Sequence, residues 1–449
     1  MTTFVVEPVK RPLAGHVQIP GDKSVGHRAL LFSLLSETPV HVTGLGDGAD
    51  NGRSAKAITQ LGATITREGG GLIIEGTGLG GMKAPSADID CGNSGTTIRL
   101  LCGLLAGQRF SSILFGDESL SKRPMRRVIE PLAKMGAVIR GQGVGGQLGD
   151  MVPPLVVGPA AGPLTGIEYA LPVASAQVKS ALLLASLWAD GVTKLVEPGP
   201  SRDHTERMLA HMGAPIVASG RSITLDPAGW NRTLACDRLD VPGDPSSAAF
   251  LIAAAVIAGA DNVTCSDVGV NPTRTGFRDA LAAMHALVEP QAERKGAGEP
   301  VADLAVTRGA GDHLSGIEIA GDLTVRAIDE IPILAVVAAR AKGRTVVRDA
   351  EELRVKESDR VATTAAMLRA FGVEVEERKD GFSLEGVTDR PLRAARVHAH
   401  GDHRIAMAAA VAALVADGPT RIDDADNVAT SFPGFVDALR GLGATVRVE

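Results

Sequence analysis

The chain has 449 residues, more than one ordinary core holds and about right for two large domains. Hydrophobic residues make up 45% and the net charge is −6, which speaks against a disordered chain and against a generic, basic nucleic-acid binder. MTTFVVEPVK lacks the pattern of a secretion signal and the longest apolar run, 248–260, is too short to cross a bilayer, so a cytoplasmic protein off the membrane is expected.

The chain then repeats one pair of elements six times. Each copy opens with a short polar loop that feeds an Ala/Leu-rich helix and later has a helix ending in an apolar residue and glycine. The first copy reads GDKSVGHRALL (21–31) and AITQLGATI (57–65). CGNSGTTIRLL (91–101) with PLAKMGAVI (131–139), and ASAQVKSALLL (174–184) with MLAHMGAPI (208–216), follow. The fourth pairs PGDPSSAAFLI (242–252) with ALAAMHALV (280–288), where His285 replaces the glycine. DEIPILAVVAA (329–339) with MLRAFGVEV (367–375), and GDHRIAMAAAV (401–411) with ALRGLGATV (438–446), complete the series.

Ser, Asp and Asn in the loops are N-cap types, and a helix apolar on nearly all sides is a buried one. The glycines suit the left-handed turn at a helix C-terminus, and the β-branched residues after them start a strand. The spacing, roughly 70 to 90 residues, exceeds that of common solenoids. The fold class is α/β. IPGDKS (19–24) and VPGDPS (241–246) are the most similar loops and divide the units into two sets of three, with crossovers near 20–22 and 242–244. That gives one domain of 21–242 and another of 1–20 plus 243–449. Two sequential domains, with the N-terminus in the first, are the alternative, and the pattern barely separates the two. Cys91, Cys102, Cys236 and Cys265 form no C-x-x-C pair and read as reduced, mostly buried thiols.

If the buried helices run parallel, their N-termini gather on one face, where free N–H groups and the helix dipole attract anions. The loops add Lys23, Arg28, His403 and Arg404; Arg123, Arg202, Lys356 and Arg360 lie in neighbouring polar stretches. One such residue alone reads as a solvated charge, but recurrence in several repeats points to anionic small molecules. Asp329 and Glu357 sit among these cations and are candidates for proton transfer; a plain N-cap and a surface ion pair are their bland alternatives. Gly95 lets a backbone N–H approach a ligand closely, or simply makes a tight turn.

HAHGDHRIAM (398–407) has the spacing of a zinc-hydrolase ligand cluster, but no histidine follows His403 to complete it. It reads better as a strand carrying His398 and His400 on one face, then a helix capped by Asp402 with Arg404 as the anion-binding residue.

Together these loops carry a family signature. PGDKSVGHRALL (20–31), CGNSGTTIRLL (91–101), LSKRPM (120–125), ASAQVKSALLLA (174–185), SRDHTERML (201–209), PGDPSSAAF (242–250), NPTRTG (271–276), IDEIPILAVVAA (328–339), ELRVKESDR (352–360), GDHRIAMA (401–408) and TSFPGF (430–435) occur in order. The chain resembles the 5-enolpyruvylshikimate-3-phosphate synthases along its whole length. The resemblance implies the two-domain enolpyruvyl transferase fold: each domain has three α/β units in pseudo-threefold symmetry around buried parallel helices, with an active site in the interdomain cleft and domain closure on ligand. It implies transfer of the enolpyruvyl group of phosphoenolpyruvate to the 5-hydroxyl of shikimate 3-phosphate by a monomer, with no metal, organic cofactor, nucleic acid or membrane.

By matching position, the resemblance assigns shikimate 3-phosphate to Lys23, Ser24, Arg28, Ser175, Ala176, Gln177, Arg202, Asp329 and Lys356. It assigns phosphoenolpyruvate to Lys23, Gly95, Arg123, Gln177, Arg360 and Arg404, and catalysis to Asp329, Glu357 and Lys23. Arginine forks suit the carboxylate and phosphate. UDP-N-acetylglucosamine enolpyruvyl transferase shares the fold, but the reactive cysteine usual in that family has no counterpart in GDESLSKRPM (116–125).

Leu100, Thr430 and Ala176 stand where the best-known members have proline, lysine and often serine, which marks a divergent, class II-like branch. Thr430 puts one pocket cation in doubt. Gly95 is retained where glyphosate-tolerant members of that branch carry alanine, so glyphosate is expected to fit; undiminished turnover at high glyphosate with phosphoenolpyruvate kept low would refute this.

Overall fold

The computed structural model describes residues 2–144 and 150–449. The chain divides into two compact units. The Lys23 unit comprises Lys23–Val241 with Gly296–Glu299; the Asp329 unit comprises Met1–Asp22, Pro242–Lys295 and Pro300–Glu449.

Three four-stranded sheets recur in the Lys23 unit, each with one parallel and two antiparallel pairings. In the first, Val40–Thr43 pairs parallel with Arg238–Asp240 and antiparallel with Gly71–Glu75, which pairs in turn with Thr64–Glu68. Period-two alternation sets the register: Val40 and Val42 are buried while His41 and Thr43 face partly outward. The Asp329 unit repeats the pattern with a substitution. Phe4–Val6 lies antiparallel between Thr420–Asp423 and Val446–Val448, with Phe4 opposite both Ile422 and Val448. Leu13–Gln18 pairs parallel with Ala260–Gly269. Two N-terminal strands thus complete sheets otherwise made from residues 260–306 and from the C-terminal end of the chain.

Each unit is filled by three apolar helices that pack on one another. Lys23–Leu34, Gly95–Leu105 and Ala176–Ser186 occupy one core. Pro245–Ala258, Ile331–Ala338 and His403–Ala413 occupy the other. Ser94, Ser175, Asp244 and Asp402 cap four of them, each side chain accepting a backbone N–H of the first turn. Glu330 precedes the Ile331 helix without a side-chain cap.

The outer helices end as the repeat requires. Gly62, Gly136, Gly213, Gly372 and Gly443 adopt φ of +110°, +97°, +94°, +80° and +103°. His285 takes the same left-handed turn at φ +67°, so the variant copy keeps the geometry at a strain of about 1–2 kcal/mol. The two similar loops lie side by side: Gly21 bridges Gly243, Asp22 N donates to the Pro242 carbonyl at 2.6 Å, and Asp244 N to that of Pro20 at 2.8 Å.

The cysteines are free thiols, Cys91, Cys102 and Cys265 buried and Cys236 half-buried. Burial pushes Cys102 and Cys265 up to about 12 and Cys236 to about 11. No helix among the described residues is long and apolar enough to cross a membrane.

The Gly95 and Ala176 helices approach so closely at Gly103 that a Cβ there would lie 2.1 Å from the Ala181 carbonyl oxygen, a backbone atom that cannot move aside alone. Gly103→Ala should therefore destabilise the Lys23 unit by about 1–3 kcal/mol, read from the midpoint of its denaturant unfolding.

Candidate active site

In the Lys23 unit the helix N-termini converge through side chains of adjoining helices. Arg28, one turn into its helix and buried, donates from Nε to Thr205 Oγ1 at 2.7 Å, from Nη1 to the Ser24 carbonyl at 2.9 Å and from Nη2 to Ser180 Oγ at 2.8 Å. Lys23 Nζ lies 3.2 Å from Asp50 Oδ2. Gln177 Nε2 donates to Thr96 Oγ1 at 3.2 Å, and its Oε1 accepts from Arg99. Arg99 Nη1 and Arg123 Nη1 would stand 2.9 and 3.2 Å from a Cβ at Gly95, so two guanidinium groups flank the one residue without a side chain. Arg123 also donates to Asn93 Oδ1. Ser175 is the N-cap and Ala176 the first residue of the third helix. Arg202 lies in the segment joining strand Thr193–Val196 to helix His204–His211.

The Asp329 unit has the corresponding face, built around Arg360. This side chain is 1% exposed, and three carboxylates surround it. Nε lies 2.8 Å from Asp402 Oδ2, Nη2 lies 2.6 Å from Glu357 Oε2, and Nη1 lies 3.4 Å from Asp329 Oδ1. Arg404 Nη1 donates to the Asp329 carbonyl at 2.8 Å, and Nη2 is 4.0 Å from Asp329 Oδ2. Asp329 is thus no N-cap; it is a 15%-exposed carboxylate facing two guanidinium groups. Nor is Glu357 a surface pair, since its partner is buried. Lys356 sits one residue earlier, 3.8 Å from Glu352 Oε1.

Burial alone would raise the Asp402 carboxyl, but Arg360 holds it below the ordinary carboxylate range. Burial likewise works against the charge of Arg360, and Glu357 and Asp402 more than restore it. Asp402 holds three neighbours at once. Its Oδ1 accepts the Arg404 backbone N–H at 2.9 Å while the carboxylate holds Arg360, and the Ser358 hydroxyl donates to Oδ2 at 3.0 Å.

The HAHGDH histidines do not act as one set. His398 ends strand Arg396–His398, but His400 leaves it at φ +55° and donates its N–H to His398 Nδ1 at 3.0 Å, so the two do not alternate on a strand as expected. His403 is buried at the start of its helix. Among the described residues no group of three or more His, Cys, Asp or Glu could hold a metal ion.

Some polar residues of these faces escaped the reading of the sequence. Arg99 was legible in principle as the one cation within an otherwise apolar helix. Arg274 joins the two similar loops: it lies 3.3 Å from Asp22 and 3.4 Å from Asp244, and donates to Ser246 Oγ at 2.7 Å. Burial, then the neighbouring Asp22, raises the Asp244 carboxyl. Thr430 Oγ1 donates to the Asn427 carbonyl at 2.7 Å and supplies no cation.

Repetition in threes around buried helices that open from polar loops is the architecture of the enolpyruvyl transferases. A family model described as EPSP synthase (3-phosphoshikimate 1-carboxyvinyltransferase) matches residues 8–439. The chain is 47% identical to a 3-phosphoshikimate 1-carboxyvinyltransferase of Geotalea uraniireducens, over 98% of this chain and 99% of that one. It is 49% identical to one of Geobacter sulfurreducens, over 96% of each. An EPSP synthase structure from Acinetobacter baumannii superimposes with a TM-score of 0.88 at 41% identity, covering all of both chains. The chain belongs to the EPSP synthase family.

Removing one partner of a buried pair leaves the other uncompensated. Asp402→Asn should cost the Asp329 unit about 3–5 kcal/mol at neutral pH. Because the Asp402 pKa is depressed on folding, its contribution is present above the unfolded carboxylate value, about 3.9, and disappears as pH falls through the folded value. The stability difference between wild type and variant, from denaturant unfolding at several pH values, should therefore shrink in acid.

Proposed function

We infer that this chain transfers the enolpyruvyl group of phosphoenolpyruvate to shikimate 3-phosphate, releasing phosphate, in aromatic amino acid biosynthesis. The acceptor is the 5-hydroxyl. The observation that supports the residue roles best is Asp329, a carboxylate held between Arg360 and Arg404 on a face otherwise rich in cations.

Each unit takes its share of the ligands. In the Lys23 unit, Lys23, Ser24, Arg28 and Arg202 bind shikimate 3-phosphate together with Ser175, the Ala176 backbone and Gln177. Lys23, Gly95, Arg123 and Gln177 meet phosphoenolpyruvate, and the missing side chain at Gly95 leaves space beside Arg99 and Arg123. In the Asp329 unit, Asp329 and Lys356 serve the acceptor, while Arg360 and Arg404 pair with the phosphoenolpyruvate anion.

The acceptor oxygen attacks the enol carbon, and its proton passes to Asp329. The methylene carbon gains a proton, with Glu357 as donor, giving a tetrahedral adduct. Glu357 then takes a proton back from the methyl group as the carbon–oxygen bond to phosphate breaks, and the departing phosphate takes up the proton held by Asp329, leaving the enolpyruvyl ether and hydrogen phosphate. Fixed guanidinium and ammonium groups stabilise the charge of the adduct without reorganising, so no cofactor is called on. Cytoplasmic action as a monomer fits this reading.

Phosphate release from the two substrates is the direct test. Asp329→Ala should lower kcat by about 10²–10⁴-fold, with a smaller loss of stability than Asp402→Asn because Asp402 and Glu357 still pair with Arg360. Full activity in the variant refutes its role, and no phosphate release from wild type refutes the whole reading.

A further inference from the structure

The Ala176 helix carries one charged residue in its buried interior. Lys179 is 1% exposed, among Val178, Ala181, Leu182 and Leu183. Its ammonium lies 2.8 Å from Glu197 Oε2 and 2.7 Å from Glu206 Oε1, and both carboxylates are themselves nearly buried, at 7% and 6%. Such a cluster costs desolvation that packed apolar residues would avoid, and it ties two separate segments of chain to this helix. Burial pushes the Glu206 carboxyl up, with Lys179 pulling it back.

The two carboxylates bracket one segment. Glu197 follows strand Thr193–Val196, and Glu206 lies in the first turn of helix His204–His211. Between them runs PGPSRDHT (198–205), which contains Arg202. Ser201, next to Arg202, donates its hydroxyl to Glu197 Oε1, so the tie from Lys179 reaches the adjacent residue. The far side is held by the same helix: Ser180 Oγ lies 2.7 Å from Thr205 Oγ1, which accepts from Arg28 Nε. Two residues before Lys179, Gln177 opens the same helix beside Ser175 and Ala176.

We propose that Lys179 is a positioning residue for shikimate 3-phosphate: through Glu197 and Glu206 it sets the Arg202 segment in register with Ser175, Ala176 and Gln177. This deepens the proposed function and rests on it. Lys179 touches no substrate, so its removal acts through the placement of Arg202. Of the phosphoenolpyruvate residues, Gly95 and Arg123 are carried by other elements, and Gln177 is held by its own bonds to Thr96 and Arg99 rather than by the Arg202 segment. A displacement on the order of 1 Å costs roughly a hundredfold in a positioned contact.

The test uses the full chain with Lys179→Met and, separately, Ser201→Ala, a half-buried change that leaves the ion cluster intact. Calorimetric binding of shikimate 3-phosphate alone, KM for each substrate, kcat and thermal unfolding are measured. Lys179→Met should weaken shikimate 3-phosphate binding and raise its KM by about 10–100-fold, with the phosphoenolpyruvate KM changed less than about 3-fold. Ser201→Ala should move the same constant by about 3–10-fold with unfolding unchanged. A folded Lys179→Met with wild-type affinity overturns the proposal. So does a loss of stability that raises both KM values alike while Ser201→Ala has no effect. Should Lys179→Met fail to fold, Ser201→Ala decides: a selective loss supports the proposal and no loss overturns it. Wild type that neither binds shikimate 3-phosphate nor releases phosphate overturns the underlying reading instead.

Discussion

A guanidinium buried in a protein must be matched by acceptors or opposite charge, and Arg360 imposes that condition on the Asp329 unit. Its 1%-exposed side chain is balanced by Asp402, Glu357 and Asp329, which come from three separate stretches of chain. Asp402 caps the His403 helix, Glu357 precedes the Arg360 helix and Asp329 precedes the Ile331 helix. Satisfying one cation therefore aligns the starts of three helices. The same act fixes the carboxylate assigned to proton transfer between two arginines. Fold stability and chemical preorganisation draw on the same contacts.

The Lys23 unit meets a similar condition with different residues. Arg28 is buried against hydroxyls and a carbonyl, and Lys179 against two glutamates. The Gly95 and Ala176 helices are largely apolar and approach closely at Gly103. One repeated architecture thus supports a cation-rich face in one unit and a mixed acid–base face in the other. Copies differ both in their loops and at single charged residues inside the helices, such as Arg28, Arg99 and Lys179. At His285 the left-handed turn survives the loss of glycine because the surrounding repeat dictates it.

Much of this was legible as pattern. The repeated glycines located helix ends, Ser94, Ser175, Asp244 and Asp402 announced caps, and the continuous apolar runs announced burial, because each is a local property of a few neighbouring residues. The family motifs led to Asp329, Arg360 and Arg404, which do meet. Arg99, Arg274 and Lys179 were harder to see. A charged residue inside an apolar helix carries no local sign of whether its partners lie nearby in space, and the glutamates that hold Lys179 come from beyond its own helix.

By itself the sequence determined the α/β class, the six copies and the polar loops that open the buried helices, all encoded in short-range periodicity and turn chemistry. Only the tertiary structure decided that Phe4–Val6 lies between Thr420–Asp423 and Val446–Val448, and that IPGD and VPGD lie side by side under Arg274. It also decided that His400 leaves the strand that His398 ends. Strand pairing and buried ion clusters join residues hundreds of positions apart. Their energy depends on what the rest of the chain has already brought within a few ångströms.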